Sequence, residues 1–246
     1  FVAFTGEEAD RLGSQRYVER PPFPVDKVIG MINLDAVGRL GNGKISVLAA
    51  GTADEWQHIF RGASYVTGVE SRIIMESLPS SDQKSFIDRQ VPAVHLFTEP
   101  HSDYHRPGDT ADKVDLAGLV KVAGFAMEAV SYLAGRPNAL TSTLAGATAP
   151  APSPAAVGGR RVSLGTVPDF GFAGSGVRIA GVTPGSPAQS AGLKEGDIIV
   201  GLDGQPVTSL KEYSDRLRAL APGKAVAITI MREGKELSLQ VTPLAR

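Results

Sequence analysis

Cysteine is absent from this 246-residue chain, which excludes disulfides, thiol catalysis and thiolate-based zinc sites together. Long apolar runs are missing as well, since none reaches the roughly 20 residues needed to span a bilayer. No signal peptide is visible, the chain opening on Phe-Val-Ala-Phe-Thr. Positive charge shows no excess: 25 Lys and Arg stand against 26 Asp and Glu, a net charge of −1. No basic stretch exceeds Arg160-Arg161, and a nucleic-acid partner needs a concentrated basic surface, so that class is set aside. Histidine is scarce, with only four. The length leaves room for two domains.

What the chain does contain is three apolar segments that each end in groups able to hold a metal. Residues 1–5 (FVAFT) read as a buried strand and deliver Glu7 and Glu8 after Gly6. Residues 28–34 (VIGMINL) deliver Asp35. Residues 91–98 (VPAVHLFT) run into a loop holding His101, Asp103 and His105. In an open α/β sheet, ligands collect outside the carboxyl ends of strands. Carboxylate, carboxylate and imidazole at three strand ends therefore form a candidate metal site. Zinc takes carboxylate oxygen and neutral imidazole nitrogen, and a hydrolytic zinc keeps one position open for water. A neighbouring carboxylate off the metal can then accept the water's proton, and adjacent glutamates suit such a division. Read alone, Glu7-Glu8 could simply be acids at a helix N-terminus, and Asp35 a turn residue before Gly38.

His105 lies in the loop DYHRPGDT, where Pro107 restricts the backbone and Asp109 or Thr110 is placed to cap a following helix. Residues 116–133 form that helix, with Leu119, Val122, Ala123, Ala126, Val130 and Leu133 on one face. His95 falls inside an apolar strand and reads as a core histidine bonded to backbone. His58, beside Trp56 and Phe60 on a helix, carries no functional signal.

The segments FTGEE, NLD, Ser81-Asp82 before an apolar strand, and DYHRPGDTADK resemble the two-zinc aminopeptidase-type exopeptidases, whose relatives include glutamate carboxypeptidases and glutaminyl cyclases. The resemblance covers residues 1–137. It implies a partial mixed-sheet α/β domain and two zinc ions. Carried over by position, it implies Glu7 as general base, Glu8 and His105 on one zinc and Asp35 on the other. Asp82 and His101 would line the substrate site. The family's upstream His-x-Asp is not found, so the expectation is the carboxyl-terminal part of such a domain, inactive alone if those ligands are required. The usual Ser-Asp-His appears as Ser81-Asp82-Gln83, and no Tyr lies between Ile73 and Phe86 to stabilise an oxyanion.

Residues 138–160 are rich in Ala, Pro, Ser and Gly and read as a linker, with too little apolar surface to order themselves. Beyond it, the composition shifts to short strands at 177–182, 198–202, 225–231 and 237–241 with a helix at 209–220. Asp203-Gly204 marks a tight turn. The run GVTPGSPAQSAGLKEGDIIVGLDGQPV resembles a bacterial protease-type PDZ domain over residues 161–246. That resemblance implies a small β-rich fold that takes an extended peptide along a sheet edge. A nest of N–H groups would hold the peptide's carboxylate, at Ser163, Leu164, Gly165 and Thr166, with Tyr213 and Leu217 as pocket residues.

The function these features imply is a zinc exopeptidase, in first place an aminopeptidase, with a PDZ module for a C-terminal peptide. The bacterial, extracytoplasmic location follows from the resemblance alone. The alternatives are a catalytically incomplete fragment working as a PDZ-based peptide binder, and carboxypeptidase or cyclase chemistry on the same fold.

Overall fold

The computed structural model describes residues 1–76, 81–101, 103–144, 162–170, 172 and 174–245. The linker expected at 138–160 lies outside these residues from 145 onward. The chain divides into two compact units, Phe1–Glu99 with His105–Ala155 and Pro100–Tyr104 with Ala156–Arg246.

The first unit is α1 (Leu12–Glu19), β1 (Met31–Leu34), β2 (Ile45–Leu48), α2 (Trp56–Thr67), β3 (Ser71–Ile73), α3 (Gln83–Ile87), β4 (Ala93–Thr98) and α4 (Leu116–Ala134). Its sheet is mixed, in the order β1-β4-β2-β3, with β1 parallel and β2 antiparallel to β4. Every residue of β4 is buried, as expected of an unbroken apolar strand covered on both faces. Strand alternation divides its side chains. Val94 and Leu96 join the core under α2 and α4, where Trp56, Phe60 and Phe125 stack at centroid distances of 5.8 and 5.5 Å. Ala93 joins a second cluster with Val18 of α1 and Phe86 of α3.

Three expectations need correction. Residues 1–5 are not a strand of the sheet, and Phe1 and Val2 are exposed. Their backbone is drawn into the approach to α1 instead: Thr5 C=O accepts from Gly13 N–H at 2.9 Å, and Gly6 C=O accepts from Leu12 N–H at 3.0 Å. Only Phe4 contributes to packing, against Tyr17 and Phe86. Secondly, α4 is capped neither by Asp109 nor by Thr110. Residues Ala111–Lys113 form a separate 3₁₀ turn, so the helix starts at Asp115, whose carboxylate accepts from Gly118 N–H at 2.9 Å. Thirdly, α4 is long and apolar enough to meet the length and composition of a membrane span. Its Val122, Phe125, Ala126, Ala129 and Leu133 nevertheless pack into the core beside Trp56, which is the role of a core helix.

After α4 the chain returns to the start of α2. The Glu55 carboxylate accepts from Thr141 N–H at 2.9 Å, from the Thr141 hydroxyl at 3.1 Å and from the Arg136 guanidinium at 2.8 Å.

The second unit contains β5 (Val162–Ser163), β6 (Thr166–Pro168), β7 (Val177–Val182), α5 (Pro187–Ser190), β8 (Ile198–Leu202), β9 (Gln205–Pro206), α6 (Leu210–Ala219), β10 (Val226–Arg232), β11 (Lys235–Val241) and β12 (Leu244–Ala245). The main sheet runs β11-β10-β8-β7-β6, with β9 on β8, while β5 pairs with β12. Two two-residue turns set its register. Asp203 and Gly204 join β8 to β9, and Glu233 and Gly234 join β10 to β11, all with positive φ, the geometry that matches strand twist. Ser186 and Ser209 cap α5 and α6 through their hydroxyls. Asp197, buried, accepts two hydrogen bonds of 2.7 Å from Arg232.

Candidate functional site

The Gly-Glu-Glu segment is a tight turn. Gly6, Asp10 and Arg11 have positive φ, and Arg11 N–H donates to Glu7 C=O at 2.8 Å. Neither glutamate caps α1, whose N-cap is Arg11 with no side-chain bond. The turn leaves Glu7 half-buried and Glu8 exposed. Burial pushes the Glu7 carboxyl above its usual range, the negative charges of Asp35, Glu8 and Asp82 push it further, and Arg11 opposes them. Glu7 therefore keeps a proton to higher pH than a free glutamate, which suits a group that must accept a proton and return it.

His105, on the loop after β4, turns through the left-handed region at φ 58° and brings Nε2 to 3.2 Å from Glu8 Oε1. Asp35 follows β1. Its Oδ2 accepts from Ser81 Oγ at 2.7 Å, and Ser81 Oγ accepts from Asn33 Nδ2 at 2.8 Å. Asn33 Nδ2 also donates to Gln83 Oε1 at 3.1 Å, so Gln83 is a buried structural partner. Asp82 is buried, and its Oδ1 has no hydrogen-bond partner.

His95 lies beneath this group. As expected of a core histidine it is buried, with Nε2 3.4 Å from the Asp35 carbonyl oxygen, but Nδ1 has no partner. Burial pulls its pKa down, while the Asp35 and Asp82 charges oppose that. Its place follows from the sheet: Asn33 and His95 are directly opposite across β1 and β4, and Asn33 shares a face with Asp35 by strand alternation.

Two donor atoms 3.2 Å apart suit neighbouring corners of a tetrahedron with bonds of about 2.0–2.1 Å, so Glu8 and His105 fit as ligands of one ion. Two donors do not complete a zinc shell. Among the described residues no three His, Asp or Glu side chains converge as a cation site, and the Asp35 carboxylate is engaged by Ser81. His101 belongs to the Pro100–Tyr104 segment of the second unit, where its ring meets Tyr104 edge-on at 6.2 Å.

In the second unit, Ser163, Leu164, Gly165 and Thr166 form the loop from β5 into β6. Gly165 has φ +76°, and a Cβ there would lie 2.2 Å from Ser186 Cβ, so the loop requires glycine on two counts. Leu164 is buried, and Gly165 N–H donates to Ser163 Oγ at 3.2 Å. Tyr213 and Leu217 are not open pocket residues. They are 2% and 0% exposed within the core, and Tyr213 Oη lies 2.8 Å from Thr166 Oγ1. The apolar face of α6 is closed against the sheet, because Leu164, Ile179 and Ile199 fill the space beneath it.

Comparison with known proteins agrees with this division. The model of Peptidase family M28 matches residues 1–130, more than half of the chain, and that of the PDZ domain matches residues 154–242. The serine endoprotease DegS of Escherichia coli (strain K12) is 36% identical over 67 residues, 27% of this chain and 19% of that protein. The periplasmic pH-dependent serine endoprotease DegQ of the same strain is 40% identical over 67 residues, 27% of this chain and 15% of that protein. A solved serine endoprotease from Yersinia pestis is 29% identical with a TM-score of 0.30, covering 35% of this chain and 29% of that one. The chain thus spans less than a fifth of the length of these two curated relatives.

Proposed function

The chain belongs to peptidase family M28 and carries a PDZ module, and from that premise we propose that it is an aminopeptidase-type zinc exopeptidase. The observation that carries this reading is the 3.2 Å approach of His105 Nε2 to Glu8 Oε1 beside the half-buried, proton-retaining Glu7. Glu8 and His105 would hold one zinc and Asp35 a second, and such ions supply activated water and polarise the scissile carbonyl when bound. Glu7 takes the proton from the attacking water and returns it to the departing amine. Ser81 and Asn33 hold the Asp35 carboxylate in one orientation. Asp82, with an oxygen lacking a partner, is a candidate for the substrate's free amino group.

The PDZ module takes a peptide with a free C-terminus at the 163–166 loop and the edge of β6. The likeness to DegQ, periplasmic by its name, supports an extracytoplasmic location.

Zinc content and chelator-sensitive hydrolysis of free and N-blocked aminoacyl substrates test the reading. Glu7→Gln is expected to keep its zinc and lose turnover, whereas Glu8→Ala and His105→Ala lose zinc. Equal zinc loss in all three variants would contradict the separate role given to Glu7. Cleavage of N-blocked substrates in preference to free ones would replace the aminopeptidase assignment.

A further inference from the structure

The position of Pro168 limits what the second unit can hold, an inference that rests on reading that unit as a peptide-binding module. Strand β6 is the last strand of its sheet and pairs with β7 alone among the described strands. Gly165 C=O accepts from Thr183 N–H and Asp169 N–H donates to Arg178 C=O, both at 2.8 Å. Positions 165 and 169 therefore face β7. The register shift between Val167 and Pro168 is taken up on β7, which passes from Gly181 to Ile179 opposite them. Alternation along β6 is kept, and the main-chain groups of Thr166 and Pro168 point to the outer edge.

Proline has no N–H to donate. At an inward position it would break the sheet, whereas at this outward one it costs the unit nothing. The missing donor is instead subtracted from any strand added to the edge. Such a strand finds the N–H and C=O of Thr166 and the C=O of Pro168, but no donor for its own carbonyl opposite Pro168. One residue later the chain turns away. Asp169 N–H is committed to β7, its carboxylate accepts from Arg178 Nε at 2.8 Å, and Arg178 lies 4.9 Å above the Phe172 ring.

The other end of the edge suits a carboxylate. Gly165 N–H is bonded only to the uncharged Ser163 hydroxyl among the described acceptors, and a carboxylate makes a stronger bond to the same donor.

We infer that a peptide bound at β6 is gripped no further than its last two residues: its terminal residue, carboxylate included, by the 163–166 loop and Thr166, and the residue before it only up to Pro168. The peptide leaves the edge at Pro168. The partner is a polypeptide selected by a free C-terminus and its final two residues, whatever precedes them.

The test uses the whole chain and biotinylated decapeptides with free carboxylates, varied at the last two positions over a constant Gly-Ser stem, with amidated counterparts. The tightest sequence is then remade as an N-acetyl dipeptide. Amidation is expected to abolish binding, and the dipeptide to bind within about three-fold of the decapeptide, less than one hydrogen bond's worth. Pro168→Val, which restores the donor, should tighten the decapeptide about five-fold and the N-acetyl dipeptide equally, since its acetyl carbonyl occupies the place opposite position 168. A decapeptide more than about ten-fold tighter than the dipeptide on the unmodified chain overturns the two-residue limit and leaves the module's reading standing. Length-independent binding without a gain in Pro168→Val overturns the assignment to Pro168. Binding indifferent to amidation, or none at all, removes the peptide-binding reading itself.

Discussion

Ser81 donates its hydroxyl proton to Asp35 Oδ2 across 2.7 Å while its own backbone sits at φ 65°. A buried, non-glycine residue in the left-handed region is held there by what its side chain does. Here the hydroxyl ties the segment before α3 to the end of β1, since it also accepts from Asn33 on that strand.

Ser81→Ala and Ser81→Gly separate the bond from the strain. Alanine loses the hydroxyl and keeps the unfavourable φ, so it should cost roughly 1–3 kcal/mol of unfolding free energy. Glycine loses the hydroxyl and relieves the backbone, so it should cost about 1 kcal/mol less than alanine. Urea unfolding followed by fluorescence of Trp56, the only tryptophan, reads the first unit directly. Equal losses would mean that the backbone there is unstrained.

Phe125 lies fully buried between α4 and α2. Phe125→Ala should destabilise the first unit by about 3–5 kcal/mol without moving the second. Hydrogen exchange read separately over the two units checks this, and loss of protection in both would show that they unfold together.

Asp197 is a buried acid whose pKa burial would raise, but the Arg232 guanidinium and the Lys194 N–H outweigh this and hold it below the usual carboxylate range. A carboxyl lowered in the folded state contributes stability above its unfolded pKa, and that contribution disappears as pH falls through the folded one. The second unit should therefore weaken on acidification below about pH 4. Asp197→Asn should flatten that limb and cost roughly 1–3 kcal/mol at neutral pH, because its charge-assisted bonds to Arg232 are weakened or lost. An unchanged acid limb in Asp197→Asn would assign it to other carboxylates.

Gly165 and Gly204 share a positive φ but not their surroundings. A Cβ at Gly204 meets nothing within 4 Å, whereas one at Gly165 runs into Ser186. Gly204→Ala should cost about 1 kcal/mol from conformation alone, and Gly165→Ala clearly more. Thermal unfolding of the two variants ranks them, and the reverse order would contradict the packing of the 163–166 loop.

Turn chemistry and residue type were the legible parts of this chain. Asp203-Gly204 gave the turn between β8 and β9 because that signal is local. The family resemblance implied Glu8 and His105 on one zinc, and the structure sets His105 Nε2 3.2 Å from Glu8 Oε1. What depended on distant partners was not legible. Residues 1–5 are apolar enough for a strand, but being one requires a neighbour to pair with, and their carbonyls were claimed by α1. The period of α6 announced an apolar face through Tyr213 and Leu217 without revealing that the sheet closes over it. His95 read as a core residue from its neighbours in sequence, and only the register of β1 with β4 sets it against Asp35.

The Glu55 carboxylate fastens the returning chain by Thr141 N–H, the Thr141 hydroxyl and Arg136 at once. A pull from residue 145 onward would first meet Thr143, whose N–H donates to Thr52 C=O at 3.2 Å, and then the two Thr141 bonds to Glu55, loaded side by side. Arg136 and α4 lie behind both. The first unit has a mechanical end at Thr141–Thr143, whatever is attached beyond it.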